Sequence, residues 1–341
     1  MKKGIFIFLI LSILLISAIG WSTSKTLVVY SPAKPEENNL ITRMFEQKTG
    51  IKVMMVTGGT GELIARIKAE KNNPQADVLF TGGVDSVASI KELLDEYIPK
   101  ENDMLIDKSD LHPWYTAIRL HPMLIIYNTE LVKKGEVKGW RDLLNPKWKG
   151  KVLMPDPRRS GSAFGELLIQ LFAFGEYDLG WDYEKRLIQN LVVVPKSSLT
   201  YKNVANGEYP LGLTHEHNIY HYKHGGAPVD AIYPVEGTAL RPDAVYLLKG
   251  AKHPDAAKLF IDFAVSKAFQ EKLSEMGDRP NRIDVSAPKG YPTPDQIKQV
   301  NYDPFWGAKN RANILKRWEY IYTNKDKIAK EFDFEKKYPL K

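Results

Sequence analysis

The sequence contains no cysteine. Disulfide staples, thiol nucleophiles, Cys-ligated metals and a lipid-modified N-terminal cysteine are therefore excluded, and a long chain can bury a sufficient core without covalent cross-links. Long apolar runs are scarce too. Residues 4–19 (GIFIFLILSILLISAI) form one, and no second follows. Lys2 and Lys3 precede it, and small residues follow: Ala18 and Gly20 ahead of Trp21, or Ser22 and Ser24 ahead of Lys25. The expectation is a cleaved secretory signal over residues 1–24, with an uncleaved anchor as the competing reading for a run at the short end of a membrane span. A basic stripe is also missing. The net charge of +7, with 26% charged residues, is scattered among acids, which argues against nucleic acid and leaves a mild attraction for anions. Internal repeats and low-complexity linkers are lacking, as are a Gly-x-Ser-x-Gly elbow, P-loop spacing and a helical His-Glu-x-x-His zinc motif.

What is present is an alternation of strand and helix patterns. Strands are expected over 26–30, 51–56, 77–80, 123–127, 151–154, 191–194, 211–214 and 244–248. Helical spacing joins Leu40, Ile41, Met44 and Phe45 ahead of Gly50, and then Leu63, Ile64 and Ile67. A helix capped by Asp85 is expected to carry Ile90, Leu93, Leu94 and Tyr97; others span 160–174 and 255–275, and the aromatic, basic tail from Asn301 reads as packing helices. This is an open α/β fold with parallel sheets and helices on both faces. The length after processing suggests two lobes, and without a flexible linker the chain must cross between them more than once.

In open α/β sheets ligands sit beyond the carboxyl ends of the strands, so the loops there are the places to look. Ser31 immediately follows the first strand. GGTG (58–61) enters a helix, where Gly59 and Thr60 offer close backbone approach to an anion, or simply a tight turn with Thr60 as N-cap. Gly82 and Gly83 follow the third strand. DPRRSGSA (156–163) opens a long apolar helix: Ser160 and Ser162 present hydroxyls, Gly161 exposes amides, and Arg158 and Arg159 lie beside them. Here too Ser160 can be only an N-cap, with both arginines solvated. THEH (214–217) gives Thr214, His215 and Glu216 as partners of a polar ligand, and Glu236 lies in a Pro- and Gly-bounded turn. No nucleophile, base and orienter are related by spacing. Abundant neutral donors with few placed acids or bases suit binding over turnover; the competing enzyme reading is a hydrolase or transferase with His215 as base and Glu216 as orienter.

The segments LVVYS (27–31), GGTGELIARIKAEKNNPQADVLFTGG (58–83), LIIYNTELV (124–132), GWRDLLNPKWKGKVLMPDPRRSGSA (139–163), GAPVDAIYPVEGT (226–238) and LLKGAKHPDAAKLFIDFAVS (247–266) carry a resemblance. Together they are similar to type II periplasmic binding proteins of the ferric-iron-binding-like branch, which serve ABC importers. The resemblance implies two hinged α/β lobes closing on a ligand, 25–120 plus about 236–285 forming the first and 121–235 plus about 286–341 the second. It also implies a monomeric, non-enzymatic protein without cofactor, free in the periplasm, that delivers a small anionic ligand to an inner-membrane ABC permease. Iron-binding members carry adjacent tyrosines where this chain has THEH (214–217), so metal ligation is not expected; if iron is bound, Tyr220 and Tyr222 are its phenolate donors. The Ser- and Gly-rich loops look more like those of members that bind sugar phosphates or phosphonates. The implied ligand order is a hexose phosphate or related ester, then an aminoalkyl phosphonate, then ferric iron.

Overall fold

The computed structural model describes residues 26–175 and 180–331. The expected signal segment, 1–24, and the last ten residues of the tail lie outside them. In chain order the elements begin β1 (Thr26–Ser31), α1 (Pro35–Thr49), β2 (Lys52–Thr57), α2 (Thr60–Ala69), β3 (Val78–Gly83), α3 (Val84–Val87) and β4 (Leu94–Asp95). Next come β5 (Thr116–His121), β6 (Met123–Asn128), β7 (Val152–Pro155), α4 (Gly161–Ala173), α5 (Gly180–Leu187), β8 (Leu191–Val194), α6 (Ser197–Ala205), β9 (Leu211–His215) and α7 (Glu216–His224). The chain ends with β10 (Val229–Ile232), β11 (Arg241–Leu248), α8 (Pro254–Ala264), α9 (Lys267–Glu275), α10 (Pro304–Thr323) and α11 (Lys325–Glu331).

Two sheets organise these elements. The first runs β2-β1-β3-β11-β4, with β5 also paired to β11; the second runs β10-β6-β9-β7-β8. Each sheet is buried on both faces because successive side chains on a strand point opposite ways. Val78 and Phe80 of β3 enter one core of the first sheet and Leu79 enters the other. In β6, Met123, Ile125 and Tyr127 face one core of the second sheet, and Leu124 and Ile126 the other.

The sheets are mixed rather than parallel. β1 pairs in parallel with β2 and β3, whereas β11 runs antiparallel to β3, β4 and β5. In the second sheet β6 runs antiparallel to β9 and β10. The antiparallel members are the crossing strands. β5 belongs to the first sheet and passes through Pro122 directly into β6 of the second, and the return lies between β10 and β11.

Two helix expectations give way. Asp85 does not cap a helix reaching Tyr97: α3 ends at Val87, a 3-10 segment follows over Ala88–Leu93, and Ile90 has left helical geometry (φ −130°, ψ 26°). The helix expected over 255–275 is two, because Ser266 is extended (φ −64°, ψ 147°) and its hydroxyl closes the first of them on the Phe263 carbonyl (2.7 Å). The tail touches both halves. Asp303 caps α10 by accepting from Phe305 N and Trp306 N (2.9 Å each). Phe305 then packs on His112 and Trp114, while Ile314, Trp318 and Ile321 enter the second sheet's core.

Candidate ligand-binding cleft

The strands of both sheets end on a shared cavity of about 750 Å³, within the ordinary range for a small-molecule site. Among the helices that begin on it are α2 after Gly59, α4 after Ser160 and α6 after Lys196. The first-turn N–H groups of a helix have no partners within it, and the positive end of its dipole favours an anion. The hydroxyls of Ser160, Ser162 and Ser197 stand at two of these termini and form a triangle, with Oγ–Oγ distances of 2.8, 2.7 and 2.9 Å. Ser160 also caps its helix by accepting from Ala163 N (3.2 Å), so the two readings of that residue hold together.

The third terminus comes from the other sheet and closes over the triangle. A Cβ placed on Gly161 would lie 3.0 Å from Thr60 Oγ1, and Cβ atoms on Gly59 and Gly61 would each be 3.7 Å from the backbone carbonyls of 158–159. A methyl group would make ordinary contact at Gly59 and Gly61, and only at Gly161 would it press on its neighbour, the Thr60 side chain. Two polar contacts also cross the cleft: Lys34 Nζ donates to Asn218 Oδ1 (2.6 Å), and Arg241 Nη2 donates to the Gly161 carbonyl (3.2 Å). The halves are closed on each other.

The opposite wall is polar and densely paired. Arg119 donates to Asp243 Oδ2 (2.9 Å) and Glu37 Oε1 (2.7 Å), with Asp278 Oδ2 at 3.4 Å. Arg241 pairs with Asp85, which Tyr302 also contacts; burial works to raise the Asp85 pKa, but the guanidinium outweighs it and holds it low. Three imidazoles meet here, with ring centroids of His121 at 4.7 Å from those of both His215 and His217. Burial first, and then nearby cations, push all three well below the ordinary histidine range, so they are neutral. Such rings are suited to exchanging hydrogen bonds with hydroxyls.

Of the residues expected at the site, Gly59, Thr60, Gly82, Gly83, Ser160, Gly161, Ser162 and His215 line the cavity. Beside the two glycines, Thr81 holds a left-handed conformation (φ 71°), an uncommon geometry for a residue with a side chain. The remaining candidates have other partners. Ser31 Oγ is fully buried, donating to Asn38 Oδ1 (2.7 Å) and accepting from Ala33 N (3.1 Å). Thr214 Oγ1 accepts from Asn218 Nδ2 (2.9 Å). Glu216 pairs with Arg279 (2.8 Å) and contacts Tyr233, and His215 Nδ1 has no hydrogen-bond partner, so a base-and-orienter pair is not formed. Glu236 accepts from Trp140 N (2.9 Å) and Arg141 N (3.0 Å). Tyr220 stacks on His224, and Tyr222 packs against Tyr201; neither phenol lines the cavity. Arg158, which does line it, is held by Asp156 (2.7 Å) and also contacts Glu319.

Sequence reasoning missed Lys34, Glu37, Arg119, His121, Ser197, His217, Asn218, Arg241 and Asp243 on the cavity wall. A local signal existed for Ser197, in the KSS run (196–198) between a strand and a helix.

Comparison with known proteins supplies the family. Residues 41–299 match the family of bacterial extracellular solute-binding proteins. The chain belongs to that family. An uncharacterized protein of Haemophilus influenzae is 33% identical over 86% of this chain and 89% of its own length. A Salmonella typhimurium protein, provisionally named a 2-aminoethylphosphonate-binding periplasmic protein, is 29% identical over 81% of this chain and 85% of its own. Among solved structures, the periplasmic binding protein AfuA of Actinobacillus pleuropneumoniae, with exogenous fructose-6-phosphate bound, superposes with a TM-score of 0.80 at 29% identity. That match covers 88% of this chain and 99% of AfuA. The two-lobed architecture is therefore that of a periplasmic binding protein. No described helix is long and apolar enough to cross a membrane.

Proposed function

We propose that this solute-binding protein captures a phosphate monoester, with a hexose phosphate favoured, and delivers it from the periplasm to an ABC-type permease. The observation that carries the reading is the Ser160, Ser162 and Ser197 triangle at two helix N-termini, covered by a third. A phosphoryl group has three strong acceptor oxygens, and the triangle supplies three hydroxyl donors beside converging backbone amides. The neutral imidazoles, with Asn218 and Asp243, read sugar hydroxyls on the far wall. Ligand contacts made by both lobes stabilise the closed state, so capture is by closure and nothing is turned over. The likeness to AfuA supports the same ligand class.

A second reading is an aminoalkyl phosphonate. It shares the phosphoryl end, and the cavity-lining carboxylates Glu37 and Asp243 offer partners for an amine. The name of the Salmonella relative is in keeping with it. A thermal-shift series with hexose phosphates, 2-aminoethylphosphonate, inorganic phosphate and ferric citrate separates these readings. A ligand that binds only the folded protein raises its melting temperature as its concentration rises. A selective rise with hexose phosphates supports the first reading and one with the phosphonate the second. A rise with ferric citrate alone removes both.

A further inference from the structure

On the far wall, two of the three imidazoles share a cluster of polar atoms with a buried carboxylate that does not line the cavity. His121 (β5), His217 (α7) and Asp278 (the segment after α9) each offer one ligating atom, and these atoms all lie within 4.8 Å of one another. Asp278 Oδ1 stands 3.6 Å from His121 Nε2 and 3.6 Å from His217 Nδ1, beyond hydrogen-bond reach of either. Asp278 Oδ1 and His217 Nδ1 are both buried without a hydrogen-bond partner. A buried polar atom left unsatisfied is costly, and such a pair facing a third donor calls for something between them.

We propose that His121, His217 and Asp278 form a binding site for a divalent transition-metal ion of the zinc class. Two imidazoles and one carboxylate are a donor set suited to such an ion, and the three atoms are spaced for it. Tetrahedral geometry with bonds of roughly 2.1 Å separates neighbouring donors by about 3.4 Å, close to the two 3.6 Å separations from Asp278 Oδ1. Arg119 approaches only the other oxygen, Oδ2 (3.4 Å), so Oδ1 is available. The Arg119 charge is balanced locally by Glu37 and Asp243, at 2.7 and 2.8 Å. His121 and His217 also line the cavity while Asp278 does not, so the fourth coordination position faces the solute. The two histidines come from opposite sides of the hinge, so ion binding is coupled to closure.

The proposal does not depend on the phosphate reading and is tested without any phosphorylated ligand. Chelator-treated, tag-free protein is titrated with Co²⁺, followed by the visible d–d absorption of the bound ion, and then competed with Zn²⁺. The expected result is a band that saturates at one equivalent and is bleached by Zn²⁺. His121→Gln and His217→Gln should each weaken it at least about tenfold. His224→Gln, an exposed ring away from the cavity, should not change it. If the variants fail to fold, X-ray absorption on the zinc-loaded wild type decides, with two imidazoles and oxygen expected in the coordination shell. A wild type with no saturable band, variants that bind like it, or a shell with fewer than two imidazoles would overturn the proposal and leave a metal-free polar cluster.

Discussion

Replacing Ser162 and Ser197 by alanine, singly and together, separates binding from folding at the proposed phosphoryl site. Each hydroxyl lies within 2.9 Å of the other and within 2.8 Å of Ser160 Oγ, so all three point at one small volume. A hydrogen bond to a charged group contributes roughly 1.5–3 kcal/mol, which makes each single loss about 10- to 150-fold in Kd. The double variant should lose less than the product of the singles, because the remaining donors and amides re-form around the same anion. Neither residue is an N-cap: Lys196 precedes Ser197, and Ser160 caps the helix holding Ser162. Melting temperatures without ligand should therefore stay close to wild type. Ser160→Ala differs, since it also removes the bond to Ala163 N and should cost about 1 kcal/mol of stability. Calorimetric titration with glucose 6-phosphate and fructose 6-phosphate reads the affinity, and a ligand-free melt reads the stability. Undiminished affinity in the double variant would refute the assignment.

Three further outcomes follow from the packing. Gly161→Ala should weaken binding at unchanged or slightly raised stability, because its Cβ comes within 3.0 Å of Thr60 Oγ1 only when the cleft closes; solution scattering should show a more open liganded form. In Gly83→Ala the added Cβ would lie 1.6 Å from Arg241 Nη2, displacing the guanidinium from buried Asp85, and chemical denaturation should show a loss of about 3–5 kcal/mol. Glu184 is fully buried without a hydrogen bond, and burial pushes its pKa from 4.5 up to about 8. The folded protein then holds a proton that the unfolded chain releases. This stabilising contribution is complete below about pH 4.5 and lost as pH rises through about 8, with a slope of at most about 1.4 kcal/mol per pH unit. Glu184→Gln should flatten that slope in denaturation curves taken across this window.

Legibility followed sequence distance. The β2–α2 and β7–α4 loops were readable because Gly, Ser and Thr cluster where a strand hands over to a helix, and their residues do line the cavity. Neighbouring candidates failed for reasons no window contains. The partner of Glu216 is Arg279, 63 residues away, and Glu236 is turned to the backbone of Trp140, 96 residues away. Arg119 and Asp243 sit inside strands, and only the β5–β11 register places them opposite each other. The crossing strands β6 and β11 were expected over 123–127 and 244–248, but as members of parallel sheets. A strand's apolar pattern records burial on both faces, not the direction of its neighbour.

The proposed function requires that the cleft select for a phosphoryl group. The most direct measurement is calorimetric titration of the wild-type protein with a hexose phosphate beside the same hexose without phosphate. Saturable one-to-one binding of the phosphorylated sugar, with the parent sugar at least about a hundredfold weaker, is predicted from the loss of two or more charge-assisted hydrogen bonds. Equal binding of the two sugars, or of neither, would contradict it.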